Sequence, residues 1–128
     1  MDLLADTNAV LWAITDDPRL GVAKATLGDM HNRVYVSAAS AWEIAIKVSI
    51  GKLPVPNSLL EWLPRELDAF PFSPLPISMK HALAVESLPF HHKDPFDRML
   101  VAQALAERLT IVSADPIFEV YGVPVVRC

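Results

Sequence analysis

Asp6, Glu43, Asp97 and Asp115 are the residues whose type and placement point most directly to chemistry. Each follows or neighbours a short apolar run, as in Leu3-Leu4-Ala5-Asp6 and Thr110-Ile111-Val112-Ser113-Ala114-Asp115. An open parallel sheet gathers residues that follow its strands at its carboxyl edge, where ligands bind. Gathering acids there is costly, because two like charges about 5 Å apart repel by roughly 3 kcal/mol at an effective dielectric of about 20. Four carboxylates in one pocket therefore carry raised pKa values or surround a hard cation. That pattern points to a metal site and to phosphate chemistry.

Each acid also has a purely local explanation. Asp6 ends a strand before Thr7-Asn8 and can accept turn hydrogen bonds. Glu43 forms a capping box with Ser40 and an i,i+4 pair with Lys47. Asp97 falls at N3 of a helix beginning after Asp94, where negative charge is favoured. Asp115, before Pro116, reads as the N-cap of a short final turn. Convergence of all four on one edge is what separates a site from four independent caps.

The elements that position them alternate in type. Leu3-Leu4-Ala5 is a strand, followed by a helix over 9–14 and a second over about 21–30. Val34-Tyr35-Val36 is a β-branched and aromatic strand. A helix from Ser37 or Ser40 runs to Ile50 and stops at Gly51. Residues 51–76 hold six of the eleven prolines, which predicts loops around a helix over 58–67, kinked or split at Pro64. Phe72 to Leu75 is confined by its prolines to a short or edge strand. Ser78 caps a helix through Val85, and Asp94-Pro95 opens one that runs to about Arg108. Thr110 to Val112 and Val123 to Val126 are the last strands. Such alternation predicts an α/β sandwich with a short central parallel sheet, residues 1–128 forming one domain without internal repeats.

At 128 residues and 52% hydrophobic, with mean hydropathy +0.31, the chain can bury a core and is not a disordered tract. The longest apolar run near the start, Ala9 to Ile14, is far shorter than a bilayer span or signal-peptide core, so a cytoplasmic protein is expected, with no membrane partner. Cys128 is a lone cysteine, which excludes an internal disulfide, and no Cys/His spacing resembles a zinc site. The net charge of −4 lacks the basic excess of a free-standing nucleic-acid binder, though a bound divalent ion would offset half of it.

Four segments carry a family resemblance: Leu3 to Asn8, Val36 to Lys47 (VSAASAWEIAIK), His92 to Ala104 (HKDPFDRMLVAQA) and Val112 to Pro116 (VSADP). In this order they resemble PIN-domain proteins of the VapC toxin type over almost the whole chain. The resemblance implies a PIN-like, Rossmann-like α/β/α fold and an endoribonuclease dependent on Mg²⁺ or Mn²⁺, the toxin of a toxin–antitoxin pair. It carries the family's acids onto Asp6, Glu43, Asp97 and Asp115 as catalytic and metal-binding residues, and its hydroxyl onto Ser113, where many relatives have Thr. Asn8 stands where other members often have His. Thr7 and Ser113 are then auxiliary groups that hold a water or phosphate oxygen. Implied partners are an RNA substrate, a VapB-like antitoxin and a second copy of the chain. The antitoxin expectation draws also on Leu59-Leu60-Glu61-Trp62-Leu63, whose apolar residues are too continuous for one buried stripe.

Other residues read as ordinary structure. His91-His92-Lys93 is a solvated loop before it is a phosphate-contacting one, His81 lies on a helix surface, and Trp42 and Trp62 belong to the core or an interface. Lys47, Lys52 and Arg98 are solvated cations unless they meet phosphate. Three rival functions compete with the nuclease. One is a catalytically inactive PIN-like interaction module. A phosphatase of the HAD type would want a second Asp at position 8, where Asn8 stands, and a receiver domain would want paired acids after the first strand.

Overall fold

Every strand of the computed structural model, which describes residues 1–56 and 58–128, runs parallel to its neighbours. Along the chain β1 (Asp2–Ala5) leads into α1 (Thr7–Ile14), a 3₁₀ turn (Pro18–Leu20) and α2 (Ala23–Gly28). Then come β2 (Arg33–Ser37), α3 (Ala38–Ser49), α4 (Leu59–Ala69), β3 (Ser73–Leu75) and α5 (Met79–Ala84). A second 3₁₀ turn (Val85–Ser87) precedes α6 (Pro95–Glu107), β4 (Thr110–Ser113), α7 (Ile117–Val120) and β5 (Val125–Arg127). The sheet order is β3-β2-β1-β4-β5, so β1 is central and Ala5 registers with both Val36 and Val112. This is the expected α/β sandwich.

The strands are apolar on both faces because both faces are covered. Leu3, Ala5, Val34, Val36 and Val112 pack against Ala9, Val10, Ala23 and Leu27 of α1 and α2. Leu4 and Ile111 point the other way, into Ala39, Leu100, Ala104 and Phe118 of α3, α6 and α7. Strand alternation thus divides the core into two layers around β1, and each layer fixes helices whose N-termini meet the carboxyl edge of the sheet.

Several boundaries differ from expectation for identifiable reasons. Gly21 closes the 3₁₀ turn at φ 59°, so α2 starts only at Ala23. The helix after β2 is capped by Ser37, whose Oγ accepts from the Ala39 amide at 3.0 Å, and not by Ser40. α4 runs unbroken through Pro64, because the carbonyl that proline leaves unpaired belongs to Leu60, which is exposed to water. β3 takes the edge position its prolines demand, and Gly51 follows the α3 C-cap at φ 76°.

Candidate active site

All four acids line one cavity of about 260 Å³ at the carboxyl edge of the sheet, together with Thr7, Asn8, Lys47, His92 and Asp94. Each arrives by its own local device. Asp6 follows β1 and caps α1, accepting from the Ala9 amide at 2.8 Å. Its amide donates to Val112 of β4 at 3.0 Å, which anchors the junction to the sheet. Ser113, at the end of β4, donates its hydroxyl to Asp6 Oδ2 and accepts from the Asp115 amide at 2.9 Å. That buried hydroxyl therefore ties the first acid to the last. Asp115 is exposed and accepts from the Ile117 amide at 3.0 Å, but the N-cap of α7 is Pro116, so the expected Asp115 cap is instead a turn one residue before the helix.

Glu43 projects from α3, where Lys47 one turn later approaches it to 3.6 Å. The adjacent Thr7 donates to Ser40 at 3.0 Å, both side chains buried, which joins the first turns of α1 and α3. Ser40 thus serves helix–helix contact instead of the predicted capping box. Asp97 stands at N3 of α6, whose N-cap Asp94 accepts from the Phe96 and Asp97 amides at 2.8 and 3.3 Å. The Asp94-Pro95 start of this helix is as the sequence predicts.

Electrostatics mark two of these carboxyls as unusual. Burial, aided by the charges of Asp115 and Glu43, raises the Asp6 pKa despite the opposing hydrogen bonds from Ser113 and Ala9. Burial also pushes Asp97 up to about 6, with Asp94 and Asp6 adding repulsion and the His92 hydrogen bond opposing them. Such groups favour a state that restores their charge, and a hard oxygen-seeking divalent cation is one. The donor set fits that kind of ion. Among the described residues the compact group is His92, Asp94 and Asp97, whose potential ligand atoms all lie within 4.8 Å of one another. Of the four expected acids it includes Asp97 alone, while Asp6, Glu43 and Asp115 line the same cavity outside it.

Four expectations need correction. His92 is not a free loop side chain, because its Nε2 lies 2.8 Å from Asp97 Oδ2 at the cavity wall. Nothing in a His-x-x-x-x-Asp spacing advertises this, since the intervening N-cap turns the chain back on itself. Arg98 is not a surface cation but 5% exposed, its guanidinium held by backbone carbonyls. His81 is 3% exposed, accepting from the Ser78 amide through Nδ1 and facing Glu107 through Nε2 at 2.8 Å. Trp42 lies at the surface, 61% exposed, with its ring edge-to-face on Phe96 at 5.1 Å.

The PIN domain family model matches residues 3–124 of this chain. Ribonuclease VapC16 of Mycobacterium tuberculosis is 40% identical over 58 residues, a stretch that spans 45% of this chain and 41% of that relative. The fold is similar to a chain in the crystal structure of VapBC2 from Rickettsia felis bound to a promoter DNA fragment, with TM-score 0.75, 17% identity and coverage of 99% and 98% of the two chains. DNA-bound VapBC from Salmonella typhimurium gives TM-score 0.71 at 16% identity, covering 99% of this chain and 98% of that one. FitAcB from Neisseria gonorrhoeae gives 0.64 at 23%, covering 96% and 95%. At these identities the structural likeness is one of fold.

Proposed function

The chain belongs to the PIN domain family, and from that premise we propose that it is a Mg²⁺- or Mn²⁺-dependent endoribonuclease acting as the toxin of a toxin–antitoxin pair. One observation carries the reading: four carboxylates from β1, α3, α6 and the end of β4 line a single cavity. The name of the relative Ribonuclease VapC16 supports ribonuclease activity, and the VapBC neighbours support a VapB-like partner.

In this reading Asp6, Glu43, Asp97 and Asp115 hold the ion. The bound ion supplies a Lewis acid for the scissile phosphate and lowers the pKa of the attacking water. The chain's own residues do the rest. Ser113 fixes Asp6 through Oδ2 and orients Asp115 through its amide. Thr7 braces the α1 and α3 termini, so that Asp6 and Glu43 keep their spacing. Lys47 balances Glu43 and offers the cavity a cation for a phosphate oxygen. Attack by water, and not by the RNA 2′-hydroxyl, leaves 5′-phosphate and 3′-hydroxyl ends.

The partner assignments follow the same premise. A groove between α1 and α4 is lined by Leu11, Trp12, Leu53 and Trp62, and it suits an amphipathic antitoxin tail. A basic side chain on that tail would reach the acids and compete with the ion. Trp42, Met79 and Leu83 expose apolar surface on α3 and α5, which supports a homodimer. Among the described residues, no helix is long and apolar enough to cross a membrane; a cytoplasmic location and one domain over residues 1–128 belong to the same proposal.

The decisive experiment is cleavage of a mixed-sequence RNA with Mn²⁺, Mg²⁺ or EDTA, followed by mapping of the ends. Cleavage should require the ion, and Asp6→Asn should lower it by at least about a hundredfold while removing the rise in melting temperature that Mn²⁺ produces. Full activity in excess EDTA or in Asp6→Asn would overturn the reading. A folded, partner-binding protein that cuts nothing would leave the interaction module in its place.

A further inference from the structure

Arg98 buries a cation among oxygens that carry no formal charge. Nη1 donates to the Pro89 carbonyl at 2.8 Å and to the Tyr121 hydroxyl at 3.3 Å, while Nη2 donates to the carbonyls of Val85 and Leu88 at 3.2 and 3.3 Å. Phe90 covers the guanidinium face at 4.3 Å. A buried charge is tolerated only when its donors are satisfied, so this one draws residues 85–90 onto the first turn of α6. Tyr121 extends the clamp, because its oxygen also accepts from the His92 backbone amide at 3.0 Å. The His92 ring then reaches Asp97 Oδ2 at 2.8 Å. Asp97 and Arg98 are consecutive on α6, so the contacts close a ring: Arg98, Tyr121, His92, Asp97.

We propose that Arg98 and Tyr121 are positioning residues, which lock the 85–92 segment so that His92 fixes the Asp97 carboxylate at the cavity wall. The inference rests on the reading of that cavity as the active site. Hydrogen-bonded partners one step behind a ligating group are worth about 10- to 100-fold in metal affinity or activity, which is the size of effect a clamp of this kind controls. A clamp serving stability alone would alter melting without altering rate.

Tyr121→Phe tests this cleanly, since it keeps the ring that His91 packs against edge-on at 5.0 Å and removes only the shared acceptor. Arg98→Ala is the obvious alternative, but loss of four hydrogen bonds can unfold the segment. The variant should melt within a few degrees of the parent, its His92 amide should exchange at least about tenfold faster, and kcat on a mixed-sequence RNA should fall about tenfold with KM within about twofold. His92→Ala should fall as far, and the double variant no further, because both break one chain of contacts. Multiplicative losses, an unchanged His92 amide, or full activity in either single variant would overturn the proposal. If the parent protein cleaves no RNA, the nuclease reading fails instead, and the clamp is still decided by amide exchange and by the Mn²⁺ concentration at half-maximal melting shift, which should rise in Tyr121→Phe and stay unchanged if the clamp is absent.

Discussion

Two polar regions adjoin the helix pair α3 and α6, one in which donors and acceptors are matched and one in which carboxylates gather. In the first, Ser37 at the N-cap of α3 donates to Gln103 of α6 across 2.5 Å, and Gln103 donates onward to the Pro76 carbonyl at 3.2 Å. His81 lies 3.5 Å from the Gln103 amide and continues to Glu107. Its Nδ1 accepts from Ser78, so its proton sits on Nε2, toward the Glu107 carboxylate. In the second, Glu43 of α3 and Asp97 of α6 line one cavity with Asp6 and Asp115. Donor meets acceptor in the first region, and like charge meets like charge in the second. The first holds together the helices that the second tends to part, and burial of polar groups stabilises only where each finds its partner.

The sharpest way to break this comparison is Gln103→Leu. It leaves the buried Ser37 hydroxyl proton without its acceptor, although the oxygen still accepts from the Ala39 amide, and should cost about 2 kcal/mol in urea melts. A loss below about 0.5 kcal/mol would reduce the network to the level of an ordinary surface position and end the contrast.

Asp97 should behave in the opposite sense. The folded protein keeps this proton up to about pH 6, whereas the unfolded chain releases it near its ordinary value of 3.8. Between those values the folded state binds more protons, so metal-free stability should fall as pH rises from about 4 to about 6 and stay low above that. The full shift corresponds to roughly 3 kcal/mol, which solvent screening of a partly exposed carboxyl reduces to about 1 kcal/mol. Asp97→Asn should flatten this slope and leave the metal-free protein about 1 kcal/mol more stable at pH 7. Melts across that range without metal would sink the idea if the variant kept the slope.

The smallest effect belongs to Asp115, an acid that also closes a turn ahead of α7. Asp115→Asn should be nearly neutral in the metal-free protein, while Asp115→Ala should lose about 0.5–1 kcal/mol with the Ile117 hydrogen bond. Equal stabilities for the two variants would show that the carboxylate, and not the turn, sets its energetics.

What the sequence made legible was local. Asp94-Pro95 announces a helix start within two residues, and the alternation of β-branched runs with helical ones announces the parallel sheet. The places of Asp6 and Asp115 at the sheet edge were readable because one follows β1 directly and the other lies two residues beyond β4. The choice between Ser37 and Ser40 as the cap of α3 was not, because it depends on where β2 ends, and β2 ends where Ser37 registers with Leu75 of β3. His81 was misplaced because the partner that accounts for its burial, Glu107, lies 26 residues away. Arg98 was misplaced for another reason: backbone carbonyls receive its protons, and a carbonyl has no letter in the sequence.

The position of β1 has a consequence for the order in which the molecule comes into being. Leu3 pairs with Thr110, and the Asp6 amide is anchored on Val112, so the strand made first waits for nearly the last. At about 5–20 residues per second, the interval between synthesis of Asp6 and of Asp115 is on the order of ten seconds. Throughout it the nascent chain holds Asp6 and then Glu43 but lacks the wall that Ser113 and Asp115 complete. Translation itself thus sets when the cavity can form, and a half-made chain lacks it.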